Sequence, residues 1–351
     1  LSFYFPEKNF FFTDMARTAF KVVIEKLNLK NSQILMPAFI CEIFWEILKK
    51  YQIEPVFLDI DLKTFNIKIE QIREKATPKT KAILICHTFG LPVDIEKLYF
   101  ELLTSNLQHL TIIEDCAHSF GAKYRGIFAG NFGTVSFFSL YKQFPTFRGG
   151  LLVCPKDWEI ELPKTKFSPR DLLSLLNSFS LFAFFFKKFG KDIAPKMMRK
   201  EKFEKPAGIN NVSLNLFSLF LEDFEKNLKK RIELAKYFQE KLKELEFEVQ
   251  EGEGNVFCYL SALVPKNLAK KRDFFVEKLR KEKVFATRIW KDPIILNKEV
   301  QKELKINLKD FPNTIEAAKR IVNFPLQNFF EKKDIEKMIS AIKKTLTKIT
   351  S

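Results

Sequence analysis

Six short apolar runs, separated by stretches with helical periodicity, constrain the fold of residues 19–155 more than any other feature of the chain. They cover residues 33–36, 55–58, 82–85, 111–113, 135–138 and 151–153. Runs of this length are typical of strands buried on both faces of a largely parallel sheet. Loop or chemically active residues follow them, such as Pro37, Asp59, His87, Asp115 and Ser139. The pattern predicts an α/β fold whose ligand site lies along the carboxyl edge of the sheet.

The 351 residues exceed what one hydrophobic core usually serves, which predicts two domains. We expect a large domain over residues 1–205, with an irregular stretch at 156–205, and a smaller α+β domain over 206–351. A long amphipathic helix at 214–245 is predicted to bridge into the second domain. The other predicted elements of that domain are strands at 247–249 and 257–260 and helices near 268–282, 313–320 and 333–347.

The charge balance favours anionic partners. Lys and Arg number 59 against 43 Asp and Glu, a net charge of +16. Nucleotides, phosphosugars, nucleic acids and anionic lipid surfaces all fit such a charge. The sequence contains no nucleic-acid-binding motif beyond charge, so we expect no nucleic-acid partner.

Five cysteines are scattered along the chain without a C-x-x-C pair, so neither a disulfide framework nor a zinc site is supported. We therefore expect no metal. A reducing cytoplasm fits this cysteine usage, and the given sequence has no basic and apolar leader.

Residues 171–189 are rich in Leu, Phe and Ser and end near Lys187 and Lys188. Ser174, Asn177 and Ser178 interrupt the apolar run, which makes a bilayer span the least favoured of three interpretations. The other two are a buried or dimer-packing helix, which is favoured, and an interfacial helix that contacts the inner membrane surface.

The chemically richest block runs from Glu114 to Gly150. Asp115 closes an apolar run, and such a carboxylate can keep a pyridine nitrogen protonated. Lys142 follows the next run and could form a Schiff base with an aldehyde cofactor, although a lysine there is more often a surface residue. His118 could hydrogen-bond to or stack on the same ring, or be structural. Together they are typical of a pyridoxal phosphate site.

Two further features of the sequence suit the phosphate group of such a cofactor. Ser139 offers a hydroxyl, and the helix predicted to begin near Ala19 offers backbone N–H groups. Thr18 could also bind the phosphate, or it could be an ordinary N-cap of that helix.

In several ordered motifs the chain resembles the DegT/DnrJ/EryC1/StrS family of sugar aminotransferases, and the resemblance covers nearly its full length. The matching segments are Arg17-Thr18-Ala19, Pro37-Ala38-Phe39, residues 55–61, 87–94 and 114–150, Gly208-Ile209-Asn210 and residues 311–326.

This resemblance implies a fold-type I enzyme dependent on pyridoxal 5'-phosphate, with a mostly parallel seven-stranded sheet flanked by helices and a smaller α+β C-terminal domain. It implies the transfer of an amino group from an amino acid to a keto group of a nucleotide-linked sugar, for glycan or secondary-metabolite synthesis. Glutamate is the expected amino donor. The implied catalytic residues are Asp115, His118 and Lys142. The implied cofactor-binding residues are Arg17, Thr18, Ala19, Cys41, Asp115, His118, Ser139, Lys142 and, across a homodimer, Asn210.

The chain also departs from the family pattern. Ser139 lies two residues closer to Lys142 than is usual, so Ser136 is an alternative phosphate ligand. Cys41 stands where many members have a stacking aromatic. After Asn210 the family commonly has an aromatic residue and an arginine, whereas Asn211 and Val212 follow here. These departures leave a non-catalytic or regulatory descendant as the alternative. Related sugar dehydratases carry histidine in place of the lysine, so Lys142 argues against that branch.

Overall fold

The computed structural model describes residues 1–167, 171, 205–327 and 329–350. Strands β1 to β12 span Asn9–Thr13, Gln33–Pro37, Glu54–Leu58, Thr80–Cys86, Thr111–Asp115, Lys123–Tyr124, Ile127–Phe128, Val135–Ser139, Gly150–Cys154, Glu248–Val249, Leu260–Leu263 and Ile321–Phe324. Helices α1 to α10 span Ala16–Lys26, Ile43–Lys50, Gln71–Lys75, Ile95–Thr104, Asn211–Glu222, Phe224–Lys243, Arg272–Lys281, Lys298–Glu303, Pro312–Arg320 and Lys332–Thr350.

A seven-stranded sheet organises the first part of the chain, in the order β1-β9-β8-β5-β4-β2-β3. β9 runs antiparallel to both of its neighbours, and all other adjacent pairs are parallel. The predicted α/β fold with a mostly parallel seven-stranded sheet is therefore confirmed, and all six apolar runs lie within its strands. β1, which the pattern of apolar runs did not reveal, lies at one edge of the sheet, and β3 lies at the other.

Alternate residues of the strands point to opposite faces of this sheet, and helices cover both faces. Ile34 of β2 packs in the core cluster that contains α1 and α2, whereas Leu35 packs in the cluster that contains α3 and α4. Both are completely buried. Burial on both faces explains why these strands are continuous apolar runs rather than alternating ones.

The second part of the chain contains a three-stranded antiparallel sheet, β10-β11-β12, which shares a core with α6, α7 and α10. The predicted strand at 257–260 was misplaced, because β11 begins only at Leu260. Phe257 has a φ of 48°, in the left-handed region, which is incompatible with extended backbone. The division at residues 205 and 206 stays a prediction.

The predicted helix at 214–245 is two helices, α5 and α6, which meet at Asp223. The break was hidden in the sequence because Phe217 of α5 and Phe224 and Leu228 of α6 enter the same core cluster. The apolar periodicity thus continues across a residue whose ψ of 5° interrupts the helix.

Within the described residues, no helix is both long and apolar enough to cross a membrane. Apart from Asp171, the segment 171–189 lies outside the described residues, and so does most of the irregular stretch 156–205. The prediction of a membrane-surface contact stays a prediction.

Candidate active site

Two neighbouring parallel strands bring the predicted acid and the predicted lysine together. Asp115 is the last residue of β5, and Lys142 ends a single 3-10 turn, Leu140–Lys142, directly after β8. Because β5 and β8 pair in parallel, with Asp115 opposite Phe137, both chains leave the sheet at the same edge. Asp115 and Lys142 line one cavity of about 400 Å³.

The carboxyl group of Asp115 is well suited to a cationic partner. The residue is 3% exposed, and its Oδ1 accepts a hydrogen bond from the Ala117 N–H at 2.9 Å. Burial raises the pKa of Asp115, whereas Lys142 and the Ala117 N–H act in the opposite direction. A protonated ring nitrogen at this position would supply the positive charge that a buried carboxylate lacks.

His118 contacts Lys142 directly. The His118 Nε2 and the Lys142 Nζ are 2.8 Å apart, and the Phe89 N–H donates to His118 Nδ1 at 3.3 Å. Burial lowers the pKa of His118 well below its ordinary value, and Lys142 acts in the same direction. Burial also lowers the pKa of Lys142, whereas the neighbouring Tyr141, Tyr259 and Asp115 act in the opposite direction, and the pKa lies above the ordinary lysine value.

Two aromatic residues of the second part of the chain reach this site and were missed in the sequence. The Trp290 ring lies 5.1 Å from the His118 ring, and the Tyr259 ring meets His118 edge-on at 5.3 Å. Trp290 also lines the cavity. Its φ of 59° places it in the left-handed region, and the preceding Ile289 N–H donates to Asn323 Oδ1 at 2.6 Å. No spacing signal marks Trp290, because only the packing of the second part onto the sheet brings it here.

The start of α1 forms another wall of the cavity, but not where it was predicted. The helix begins at Ala16, with Met15 as the N-cap residue, instead of near Ala19. Met15, Ala16 and Arg17 line the cavity. The N-terminus of an α-helix is a place that suits a phosphate.

Thr18 and Ala19 therefore have different positions from those expected. The Thr18 hydroxyl donates to Asp14, so Thr18 is a residue of the first turn and not the N-cap. Ala19 is completely buried in the core beneath the sheet. Neither residue is among those that line the cavity, and their predicted roles as cofactor ligands stay predictions.

The structure separates the two candidate serines. Ser139 lines the cavity beside Lys142. Ser136 is completely buried, and its hydroxyl donates to the Gly130 carbonyl at 3.0 Å. The geometry therefore favours Ser139 over Ser136 as a phosphate ligand.

Cys41 also lines the cavity, and burial raises the pKa of its thiol. Asn210, in contrast, is not among the described residues that line this cavity in a single chain. Its Oδ1 accepts from the Ser213 N–H at 2.8 Å and caps α5, while its Nδ2 is buried without a partner in the described part of the chain. A role for Asn210 in the site of a second copy stays a prediction.

Glu114 points away from the cavity and fixes the adjacent loop. Its two carboxylate oxygens accept from the Gly130 N–H at 2.8 Å and the Gly133 N–H at 2.6 Å, and Oε2 also contacts His87 Nε2 at 2.9 Å. His87 Nδ1 accepts from the Val93 N–H at 3.0 Å. His87, Glu114 and Cys116 are close enough to hold an ion, but both ring nitrogens and both oxygens already have protein partners. These hydrogen bonds, which hold the loop at residues 130–133 and the backbone at Val93, account for the close approach of the three side chains.

The residues present fit pyridoxal 5'-phosphate. The cavity offers an amine at Lys142, a buried acid at Asp115, and a helix N-terminus with a neighbouring serine hydroxyl for a phosphate. Each chemical part of that cofactor thus has a matching group on the cavity wall.

Comparison with known proteins agrees with this geometry. A sequence model of the DegT/DnrJ/EryC1/StrS aminotransferase family matches residues 13–343. GDP-perosamine synthase from Escherichia coli O157:H7 is 43% identical over 101 residues, 28% of this chain and 27% of that protein. An uncharacterized protein from Methanocaldococcus jannaschii is 24% identical over 332 residues, 92% of this chain and 81% of that protein. The structure of PseC from Helicobacter pylori, an aminotransferase involved in pseudoaminic acid biosynthesis, has the same fold, with a TM-score of 0.75 at 16% identity over 98% of this chain and 88% of that chain.

Proposed function

The chain belongs to the DegT/DnrJ/EryC1/StrS aminotransferase family, and we propose that it transfers an amino group from an amino acid to a keto group of a nucleotide-linked sugar. The observation that carries the proposal is the convergence of Asp115, His118 and Lys142 at one cavity beside the N-terminus of α1. Glutamate is the amino donor to test first. The match to GDP-perosamine synthase, which covers about a quarter of that protein, supports a nucleotide sugar as the acceptor class.

Pyridoxal 5'-phosphate, the cofactor of this family, supplies an electron sink for carbanion chemistry when it is bound. Lys142 would hold it through Nζ and move a proton at that atom during amino transfer. Asp115 would keep a proton on the ring nitrogen. Ser139 and the N-terminus of α1 would hold the phosphate.

A homodimer forms part of the proposal. Asn210 has a buried Nδ2 that finds no hydrogen-bond partner among the described residues, and its side chain is held in place by the cap of α5. A second copy could bring this amide to the phosphate of its partner. Light scattering of wild type and Asn210→Ala, each with and without cofactor, tests both the dimer and this contact.

The decisive experiment is the visible absorbance spectrum of the purified protein with pyridoxal 5'-phosphate, before and after glutamate. Wild type is expected to form a yellow band that glutamate converts to the pyridoxamine form. Lys142→Ala is expected to form neither, and a surface variant such as Lys229→Ala serves as its control. A stable yellow band that no amino donor changes would contradict amino transfer and favour the regulatory alternative.

A further inference from the structure

The turn that follows β4 contacts His118 through one residue, Phe89. This single 3-10 turn spans Thr88–Gly90, and Phe89 is completely buried in it. The Phe89 N–H donates to His118 Nδ1 at 3.3 Å, and the two rings stack with their centroids 5.7 Å apart. The other ring nitrogen of His118 lies 2.8 Å from Lys142 Nζ. The conformation of the turn therefore determines where His118 lies relative to the lysine.

Phe89 has a backbone conformation that its surroundings must support. Its φ of 57° and ψ of 11° lie in the left-handed region, which a residue with a bulky side chain rarely adopts. A residue other than glycine stays in that region only when contacts with the rest of the protein hold it there. Such residues are frequent at functional sites, where they place a group that the site needs.

Two hydrogen bonds from the second part of the chain hold this turn, one on each side of Phe89. The Thr88 carbonyl accepts from Gln250 Nε2 at 2.8 Å, and the Gly90 carbonyl accepts from the Val256 N–H at 3.1 Å. A Cβ at Gly90 would lie 2.9 Å from a methyl carbon of Val256, so glycine permits this close approach. Of the two bonds, only the one from Gln250 comes from a side chain and can be removed by substitution.

The first part of the chain holds the same turn at its start. The Thr88 N–H donates to Asn66 Oδ1 at 3.0 Å, and the Leu91 N–H donates to the Thr88 carbonyl at 3.1 Å. These two bonds do not involve Gln250. Replacing Gln250 is therefore expected to shift the turn rather than to unfold it.

The Gln250 amide belongs to a buried network with a defined direction. It donates to the carbonyls of Thr64 at 2.7 Å and Thr88 at 2.8 Å. Its Oε1 accepts from Asn255 Nδ2 at 3.0 Å, and Asn255 Oδ1 accepts from the Phe257 N–H at 2.7 Å. Backbone carbonyls only accept and backbone N–H groups only donate, so the two ends of the network fix the orientation of both amides. The network thus has one arrangement that satisfies all of these groups.

The other end of the network leads to the same site. Phe257, whose N–H it fixes, is followed by two residues that contact the site. Cys258 Sγ lies 3.8 Å from the Lys142 carbonyl oxygen, and the Tyr259 ring meets His118 edge-on at 5.3 Å. The network therefore joins the turn after β4 to a second segment that contacts both His118 and Lys142.

We propose that Gln250 is a positioning residue for amino transfer, which fixes the turn Thr88–Gly90 and thereby holds His118 against Lys142. The inference rests on the proposed function and deepens it, because the position of His118 matters for a reaction only if this lysine reacts. Gln250 is not among the described residues that line the cavity, so it acts through the turn and not on the cofactor or the substrate. Without its amide, the turn can leave its left-handed conformation and carry His118 away from the lysine.

Nitrogen NMR of the cofactor-free protein, labelled at histidine, tests the position of His118. The chain has three histidines, and His118→Gln identifies the signals of this one. In Gln250→Leu the ring signals of His118 are expected to shift, while those of the exposed His109 stay as in wild type. Unchanged His118 signals in a folded Gln250→Leu protein would overturn the proposal.

Gln33→Leu is the matched control. Gln33, the first residue of β2, is also a buried glutamine, and its amide donates to Glu54 at 2.9 Å and accepts from Thr77. It lies at the amino end of its strand, whereas the site lies at the carboxyl edge of the sheet. The variant should lose buried hydrogen bonds as Gln250→Leu does and leave the His118 signals in place. Shifted His118 signals in Gln33→Leu as well would indicate a general loosening and overturn the specific role of Gln250.

Gln250→Glu separates hydrogen bonding from packing, since glutamate has nearly the size of glutamine. A carboxyl group donates at most one hydrogen bond, so it cannot serve the carbonyls of Thr64 and Thr88 together. Its His118 signals should therefore also differ from those of wild type, and signals identical to wild type would count against the proposal. Circular dichroism verifies that each variant is folded, and Gln250→Glu takes the place of Gln250→Leu if the latter does not fold.

Single-turnover absorbance with glutamate tests the consequence for amino transfer. At saturating glutamate, Gln250→Leu is expected to react roughly tenfold more slowly than wild type or worse, because a misplacement of about 1 Å can cost on the order of 10²-fold. The glutamate concentration that gives the half-maximal rate should change little, and Gln33→Leu should react as wild type does. A wild-type rate in Gln250→Leu, despite shifted His118 signals, would refute the positioning role.

Failure of the proposed function is distinguishable from failure of this inference. If the NMR result is as expected but wild type transfers an amino group from no donor, the proposed function and the kinetic consequence are refuted. The placement of His118 by Gln250 would still stand, because the NMR measurement uses the cofactor-free protein.

Discussion

Asp59, at the carboxyl end of β3, accepts hydrogen bonds from both the backbone N–H and the hydroxyl of Thr314 in α9, each at 2.8 Å. The Asn313 N–H and Lys68 Nζ add contacts at 3.2 Å, and Asp59 is completely buried. The carboxylate thus pairs the free N–H groups at the start of a helix that lies 255 residues further along the chain. Asp59 thus connects α9, in the second part of the chain, to the edge of the sheet at which the candidate active site lies.

Replacing Asp59 with Ala is expected to destabilise the protein by about 3 kcal/mol, because it leaves the buried N–H and hydroxyl groups of α9 without an acceptor. Chemical denaturation followed by circular dichroism measures this. Thr314→Val, which removes only the hydroxyl bond, should cost about 1 kcal/mol. Equal losses in the two variants would contradict the capping role.

Asp115→Asn is expected to slow the glutamate half-reaction by on the order of 10²-fold or more, because an amide cannot hold a proton on the ring nitrogen through charge. Single-turnover absorbance measures the rate. The variant should still bind the cofactor through Lys142, since that amine and the phosphate ligands are unchanged. A half-reaction as fast as in wild type would exclude Asp115 as the partner of the nitrogen.

The same substitution should affect stability in a pH-dependent way when the cofactor is absent. Burial raises the folded-state pKa of Asp115 above its unfolded value, so between the two pKa values the folded state binds more protons. Wild type should therefore lose stability relative to Asp115→Asn as the pH rises from about 4 through that raised pKa. The difference should be independent of pH below the unfolded pKa and again above the folded pKa, and it should change between the two. Urea unfolding of both proteins from pH 3.5 to 8 gives the comparison, and a constant difference over this range would contradict it.

Trp290→Ala is expected to raise the KM for the nucleotide sugar roughly tenfold, since an aromatic face on the cavity wall is lost. The glutamate half-reaction should change little, because its reacting groups are on the sheet. Trp290→Phe should restore most of the affinity. Trp158 does not line this cavity, so Trp158→Ala controls for the loss of a tryptophan. An equal increase of KM in Trp290→Ala and Trp158→Ala would contradict a direct contact between Trp290 and the nucleotide sugar.

Gly150 allows β9 to approach the start of α1 closely. A Cβ there would lie 2.4 Å from Thr13 Oγ1 and 2.6 Å from the Ala16 nitrogen. Gly150→Ala should therefore displace the first turn of α1 and weaken cofactor binding by about tenfold, through a distortion of about 1–3 kcal/mol. The Kd from an absorbance titration measures this effect.

Gly126→Ala is the matched control, because a Cβ at Gly126 has no atom within 4 Å although its φ is 86°. It should lower stability by about 1 kcal/mol and leave the Kd unchanged. Weaker cofactor binding in this variant as well would point to a general loss of structure.

The sequence alone determined the sheet and the positions of Asp115 and Lys142. The six apolar runs form strands that are buried on both faces of the sheet, so local composition is enough to reveal them. The residues that follow parallel strands must meet at one edge of the sheet, which is why Asp115 and Lys142 could be placed together. The ordered motifs from Arg17 to Leu326 also sufficed to recognise the family. The apolar pattern did not reveal the break at Asp223 between α5 and α6, because both helices pack into the same core cluster.

The tertiary structure decided what contacts the reacting groups. The start of α1 lies close to Gly150 of β9, and Ser139 rather than Ser136 lies on the side of β8 that faces the cavity. Trp290 reaches His118 only because the second part of the chain packs onto the sheet edge. The Phe89 N–H reaches the ring of His118, 29 residues further along the chain. Contacts between residues far apart in the chain leave no period or spacing in the sequence, so only the folded structure could show them.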